Sequence, residues 1–413
     1  MENTARSFRS DAHKGATIDA SVFTEVTTLL QGAVQENVFP GAVLLVAKDG
    51  QVVFHKSVGL KSAKLSKDAD PKPMGQDTVF DIGAVTQAVA TTTLFMRLIE
   101  IGKVKLTDRV SIYLQGFSVH NKSGITIADL LTHSAGFPSS HPFFEELLQE
   151  NTGSRLGILT SKGARDYIIN VINRSSLKYP PHTRQVQSEI GFILLGQIVE
   201  ILTGTTLDKA LHKYVIAPLG LKSTSYIDLS LIRRRGIHPV TDLIAPTEHC
   251  PWRQRVIWGE VQDDNAWAMG GIAGHNGLFS TAYDLHILTR ELLFAYRGGS
   301  TFLKRESVQN LFKGPPAIDE SGESPLYRYG WESPNKENGM IDSEISASAV
   351  GSNGATGCSV WLEPEKGVEI ILLTNRSHTS RSNKKINTFR PSLHTKILSA
   401  FEKHGSILQS AKS

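Results

Sequence analysis

Phe80-Asp81-Ile82-Gly83-Ala84-Val85-Thr86-Gln87 opens a run that carries Val85, Val89, Leu94, Phe95 and Leu98 at helical spacing and stops at Gly102. The spacing predicts a central helix over 84–101. Upstream, Val22, Phe23, Val26, Leu29 and Leu30 mark an amphipathic helix over Ile18–Gln35. It is followed by two apolar runs, Gly41–Ala47 and Val52–Gly59, around the turn Lys48-Asp49-Gly50, a hairpin by its Asp-Gly pair.

Downstream of a polar loop near 61–76 and the central helix, Leu106–Phe117 reads as a tight turn and short helix and Ile127–Leu131 as a helical turn. Ile190–Leu202 reads as a strongly apolar helix closed by Gly204. The stretch 140–270 is helix and loop, punctuated by Pro180-Pro181, Ala217-Pro218-Leu219-Gly220 and Ala245-Pro246. Then come a helix over Leu285–Tyr296, a strand over Tyr327–Trp331, and a hairpin of Cys358–Leu362 and Val368–Thr374 turning at Pro364-Glu365-Lys366-Gly367. A polar loop over Ser377–Lys385 and a helix near Leu393–Phe401 finish the pattern. Strands at both ends with helices between predict an α/β fold of the α+β type, an antiparallel sheet flanked by helices plus a helical lobe. The expected division is a flexible 1–17, one domain over 18–403 with its α/β lobe from 18–83 and 285–403 and its helical lobe from 84–284, and a flexible 404–413. The seam between the lobes is the expected site.

With 413 residues, 40% hydrophobic and 20% charged, the chain has the composition of a globular protein large enough for two lobes. Its 44 basic and 40 acidic residues leave a net charge of +4, too little for a phosphate-binding field, so nucleic acid is not an expected partner. The run Arg233, Arg234 and Arg235 reads as a solvated face. Cys250 and Cys358 make neither a disulfide framework nor a zinc spacing. Met1–Gly15 lacks an apolar export segment and no run of about 18 apolar residues follows, so the expectation is a cytoplasmic protein without a membrane span.

Four segments occur in a fixed order. They are Phe80–Gln87, Leu130-Leu131-Thr132-His133-Ser134-Ala135-Gly136, Gly191-Phe192-Ile193-Leu194-Leu195-Gly196 and Ala217-Pro218-Leu219-Gly220-Leu221. Together they resemble the beta-lactamase-related serine hydrolases, a family that includes class C beta-lactamases, penicillin-binding-protein-like DD-peptidases and esterases, over about 23–376. The blocks at 244–248, 259–266 and 271–281 are similar to one bacterial subgroup of it.

The resemblance implies three catalytic motifs, and this chain departs from each. The family's Ser-x-x-Lys places a nucleophile and the group that activates it on one edge of the central helix. Here those positions are Ala84 and Gln87. Its Tyr-x-Asn motif supplies a phenol base and an amide for the substrate carbonyl, and the matching residues are Gln187, Ser188 and Glu189. Its Lys-Thr-Gly or His-Thr-Gly strand reads Ser352, Asn353, Gly354, followed by Ala355. Backbone amides at Ala84 and near Ala355 would still make a carbonyl-binding pocket, and the strand edge could pair with an extended peptide.

The leading expectation is therefore a catalytically inactive homologue that keeps a cleft for a peptide or cell-wall fragment. Two alternatives compete with it. The first is an active hydrolase (esterase, beta-lactamase or D-Ala-peptidase-like) using Thr86 or Ser188, or a triad of Ser188, His275 and Glu248. The second is an interaction module working from the lobe surface. His133 and His275 read as braces of their turns, Glu260, Asp263 and Asp264 as loop-bracing acids, and Trp252, Trp258 and Trp267 as core. No metal, nucleotide or flavin fingerprint occurs, and no cofactor or metal is expected.

Overall fold

The computed structural model describes residues 20–62, 71–154, 158–315, 325–378 and 380–410. The expected flexible N-terminus, part of the 61–76 loop and the last three residues lie outside them. Among the described residues, an antiparallel sheet is built from β1 (Gly41–Lys48), β2 (Gln51–Ser62), β3 (Lys72–Pro73), β7 (Tyr327–Arg328), β8 (Trp331–Glu332), β9 (Val350–Asn353), β10 (Ser359–Glu363) and β11 (Val368–Thr374). Its order is β3-β2-β1-β11-β10-β9-β8-β7. A smaller sheet joins β4 (Phe80–Asp81), β6 (Leu278–Ser280) and β5 (Ser225–Tyr226) in the order β4-β6-β5.

β1 and β11 are buried on both faces, and their period of two divides their side chains between two cores. Val43, Leu45, Ile371 and Leu373 face a cluster with Val85, Val89 and Leu94 of the central helix and with Leu285 and Leu292 of α6 (Ala282–Arg297). Ala42, Leu44, Ile370 and Leu372 face Val26 and Leu30 of α1 (Thr24–Gln35) and Leu393 and Ile397 of α8 (Ile386–Ser410). The β1–β2 turn has the positive φ values at Asp49 and Gly50 that a two-residue hairpin demands.

Three expectations changed. The central helix enters through a π-helical turn, Gln87–Thr92, before α2 (Thr93–Glu100). Consecutive threonines stiffen this stretch, and the Thr93 hydroxyl reaches the Ala88 carbonyl five residues back, at 3.4 Å. The strand expected over 327–331 is a tight hairpin instead, because Gly330 takes φ 83° where a Cβ would meet Thr92 Oγ1 at 1.9 Å. The last helix runs well past Phe401, to Ser410. Among the described residues no single helix is long and apolar enough to cross a membrane.

The second lobe is mainly helical and includes α3 (Lys162–Arg174), α4 (Glu189–Thr203) and α5 (Asp264–Ala268). α7 (Arg305–Lys313) packs beside α6. Gly204 ends α4 in the left-handed conformation, where a glycine carries no Cβ penalty.

Candidate functional site

Gly83, at φ 59°, turns the chain from β4 into the central helix and sets Ala84 at the mouth of a cavity of about 280 Å³. Glu189, Asp263, Ala355, Arg376 and Arg381 also line it. The turn is held by Asp81, whose carboxylate accepts the Gly83 amide at 2.9 Å and the Gln262 amide at 2.7 Å. Burial pushes the Asp81 carboxyl up to about 6.

Ala84 offers the cavity a methyl group and a backbone N–H. Among the described residues neither the Ala84 amide nor that of Ala355 has an acceptor. Gly354 brings the two segments together, since a Cβ there would lie 2.6 Å from the Ile82 carbonyl oxygen and 3.5 Å from the Ala84 nitrogen. Arg390 and Arg376 fix this turn from behind, donating to the carbonyls of Gly354 (3.2 Å) and Ala355 (2.9 Å) respectively.

Gln87 is buried one turn after Ala84, and its side-chain amide has no partner among the described residues. Gln187 does not share the cavity with Ala84. It lines a separate polar pocket of about 230 Å³ with Tyr327, Glu332, Asn353 and Arg390.

Ser352 is buried within β9. Asn353 is occupied, because Glu332 accepts its backbone amide at 2.7 Å and its side-chain amide at 3.0 Å. β9 also pairs with β8 at Glu332 and Gly351. The strand edge expected to take an extended peptide is therefore already closed at Asn353 by Glu332.

The substitute nucleophiles are engaged elsewhere. The Ser188 hydroxyl donates to the Pro138 carbonyl at 2.6 Å, while its amide donates to His133 Nδ1 at 3.0 Å. Burial pushes His133 down to about 3, so its ring is a neutral acceptor. The Thr86 hydroxyl donates to the Gly83 carbonyl at 2.7 Å. No triad of Ser188, His275 and Glu248 forms: His275 Nε2 is bonded to Asp263 at 3.0 Å, and Glu248 to Gln262 and Arg381.

Glu189, the first residue of α4, has its carboxylate within 4.8 Å of the ligating atoms of Asp263 and His275. A helix N-terminus favours this charge, yet burial, with the Asp263 carboxylate beside it, pushes Glu189 up to about 7. Burial alone would raise Asp263 and lower His275. Their mutual attraction reverses both, holding Asp263 below the usual carboxylate range and His275 above the usual imidazole range. Asp263 also caps α5 by accepting the Ala266 amide at 2.7 Å.

The three tryptophans expected as core are only half-buried in the second lobe. Trp252 stacks on Phe144 and meets Trp267 edge-on, while the indole N–H of Trp258 donates to the carbonyls of Thr241 and Ile244. Arg376 and Arg381 were not foreseen, since neither Arg376, just past the Val368–Thr374 run, nor the polar loop Ser377–Lys385 carries a periodic or motif signal. Arg381 reaches from that loop to Glu248 and to Asp264, the latter at 2.9 Å.

The beta-lactamase family model matches residues 26–394. The chain belongs to the beta-lactamase family. A relative named N-acetylmuramyl-L-alanine amidase, from Bacillus subtilis (strain 168), is 33% identical over 367 residues, covering 83% of this chain and 78% of that protein. Among solved structures, EstCE1, a hydrolase with promiscuous acyltransferase activity, superposes with a TM-score of 0.69 at 20% identity, covering 91% of this chain and 98% of its own. The octameric penicillin-binding protein homologue from Pyrococcus abyssi gives 0.67 at 20% identity, covering 92% and 77%. At such identity these structures establish the beta-lactamase and transpeptidase-like fold and leave the chemistry to the site itself.

Proposed function

We propose that this beta-lactamase-family chain binds a carbonyl-bearing ligand of the peptide class without forming an acyl-enzyme. The observation that carries the reading is Ala84. At the one position where the helix entry, the amide pair and the cavity meet, the side chain has no nucleophile, and Gln87 one turn on has no titrating group. Two amides without acceptors beside that methyl group can still hold a carbonyl oxygen. The name of the Bacillus subtilis relative points to peptidoglycan-derived peptides as the class to try first.

The test is intact mass after incubation with a fluorophosphonate and with a fluorescent penicillin, beside an Ala84→Ser, Gln87→Lys, Gln187→Tyr variant. The native protein is expected to stay unlabelled while the variant gains an adduct. A stoichiometric adduct on the native protein, or ester or lactam hydrolysis well above buffer, would overturn the reading.

A further inference from the structure

The cavity beside Ala84 is unevenly charged in a way that describes its ligand. Asp81, Glu189, Asp263, Arg376 and Arg381 line it, and Glu248, Asp264, Arg253 and His275 are joined to that lining by ion pairs. Most of these carboxylates are matched. Asp264 is held by Arg253 at 2.7 Å and Arg381 at 2.9 Å, Glu248 by Arg381, Asp263 by His275, and Asp81 by two backbone N–H groups. Arg376 directs its guanidinium at the carbonyls of Ala355, Arg381 and Asn383. Glu189 alone lines the cavity with no donor on its carboxylate among the described residues.

One wall of the cavity thus presents backbone N–H groups without acceptors, at Ala84 and Ala355, and another a carboxylate without a donor. Resting on the carbonyl-binding reading above, we infer that the ligand is an aminoacyl chain end. Its carbonyl oxygen lies on the Ala84 and Ala355 amides and its primary ammonium on Glu189. The cavity, at about 280 Å³, falls just short of the ~300–1,000 Å³ that encloses a drug-sized ligand, which suits the end of a chain. A carboxylate here repels an acidic ligand end and rewards a cationic one with a charge-assisted hydrogen bond.

A divalent metal ion is the competing occupant of Glu189, Asp263 and His275. Asp263 Oδ1 already accepts from both His275 Nε2 and the Ala266 amide, so a metal would be left with Asp263 Oδ2 and His275 Nδ1, and the titration in EDTA separates that case from an ammonium on Glu189.

The test is calorimetric titration, with and without EDTA, of alanyl-alanine amide in its L,L and D,D forms against the N-acetylated counterparts, with the native protein and Glu189→Gln. The free amine is expected to bind about tenfold tighter than the acetylated form, and Glu189→Gln to bring the two level. A preference that survives Glu189→Gln, or that appears only without EDTA, overturns the inference. Equal binding of both forms to the native protein overturns it too and leaves the carbonyl site standing. Failure of both forms to bind at millimolar concentration overturns both.

Discussion

Nε2 of His275 lies 3.0 Å from Oδ1 of Asp263, and the imidazole is wholly buried. The pair joins the glycine-rich loop before β6 to the N-terminus of α5, so each residue holds the other's segment in place. His275→Phe keeps the ring volume and leaves the Asp263 charge with one backbone donor. The expected cost is about 2–4 kcal/mol, read from the urea midpoint. A loss below ~0.5 kcal/mol would mean that the pair does not hold the loop.

Glu189 gives a pH-dependent prediction of definite sign. Its carboxyl is raised above the ordinary value to about 7, so its contribution to stability is full below the unfolded value and disappears as pH rises through about 7. Glu189→Gln removes that loss. The variant should match the native protein near pH 5 and exceed it at pH 8–9, by an amount on the order of 1–3 kcal/mol in thermal or urea unfolding. A less stable variant at pH 9 would contradict the burial argument.

Histidines set the acid limit. Burial lowers His133 and His394 to about 3 and His378 to about 4, below the 6.5 of a free imidazole. A base whose folded value is depressed contributes stability that is full above the unfolded value and is lost as pH falls beneath it. Asp81, Glu189, Glu332 and His275, all raised, act in the opposite sense, but Asp81 and Glu189 are less displaced than His133 and His394. The melting temperature should therefore fall below pH 6.5 and drop more steeply towards pH 4. A flat profile over that window would show that these rings are not held neutral.

Lys122 is completely buried, with its ammonium donating to the carbonyls of Ile172, Asn173 and Ser175 at the C-terminal end of α3. Burial lowers its pKa, but three acceptors and the negative end of the helix favour the charged form. Lys122→Met should cost about 2–4 kcal/mol by leaving those carbonyls unmatched, and hydrogen exchange should locate the loss at the end of α3.

Gly354→Ala is expected to damage the cleft more than the fold. Its Cβ would press on the Ile82 carbonyl, driving the segments of Ala84 and Ala355 apart. A cost of about 1–3 kcal/mol in stability should accompany loss of ligand binding. Full binding by the variant would show that the two amides do not act together.

The scaffold was largely legible from spacing. The Asp-Gly hairpin, the Gly204 terminus and the hairpin turning at Gly367 rest on local backbone rules that no tertiary contact overrides. Tyr327–Trp331 misled because the residue that bends it, Gly330, is demanded by Thr92 from another part of the chain. The site was legible only where one helix entry carries it. Ala84 and Glu189 meet in one cavity, but Gln187 falls in the neighbouring pocket beside Glu332, which no spacing could have disclosed. Arg376 and Arg381 stayed hidden because a charged loop gives no sign of which cavity it borders until β11 and the Gly354 turn are side by side.

Register adds a constraint on how the chain is made. β1 is flanked by β2 on one side and, over Ala42–Lys48, by β11 on the other. While the ribosome extends the chain from Lys48 to Val368, β1 has its hairpin partner and nothing on its far edge. The helices of the second lobe, rich in local contacts, can form during that interval. A nascent chain stalled before Val368 would carry an open strand edge, apolar from Ala42 to Ala47, the feature that chaperones capture and that aggregates grow from.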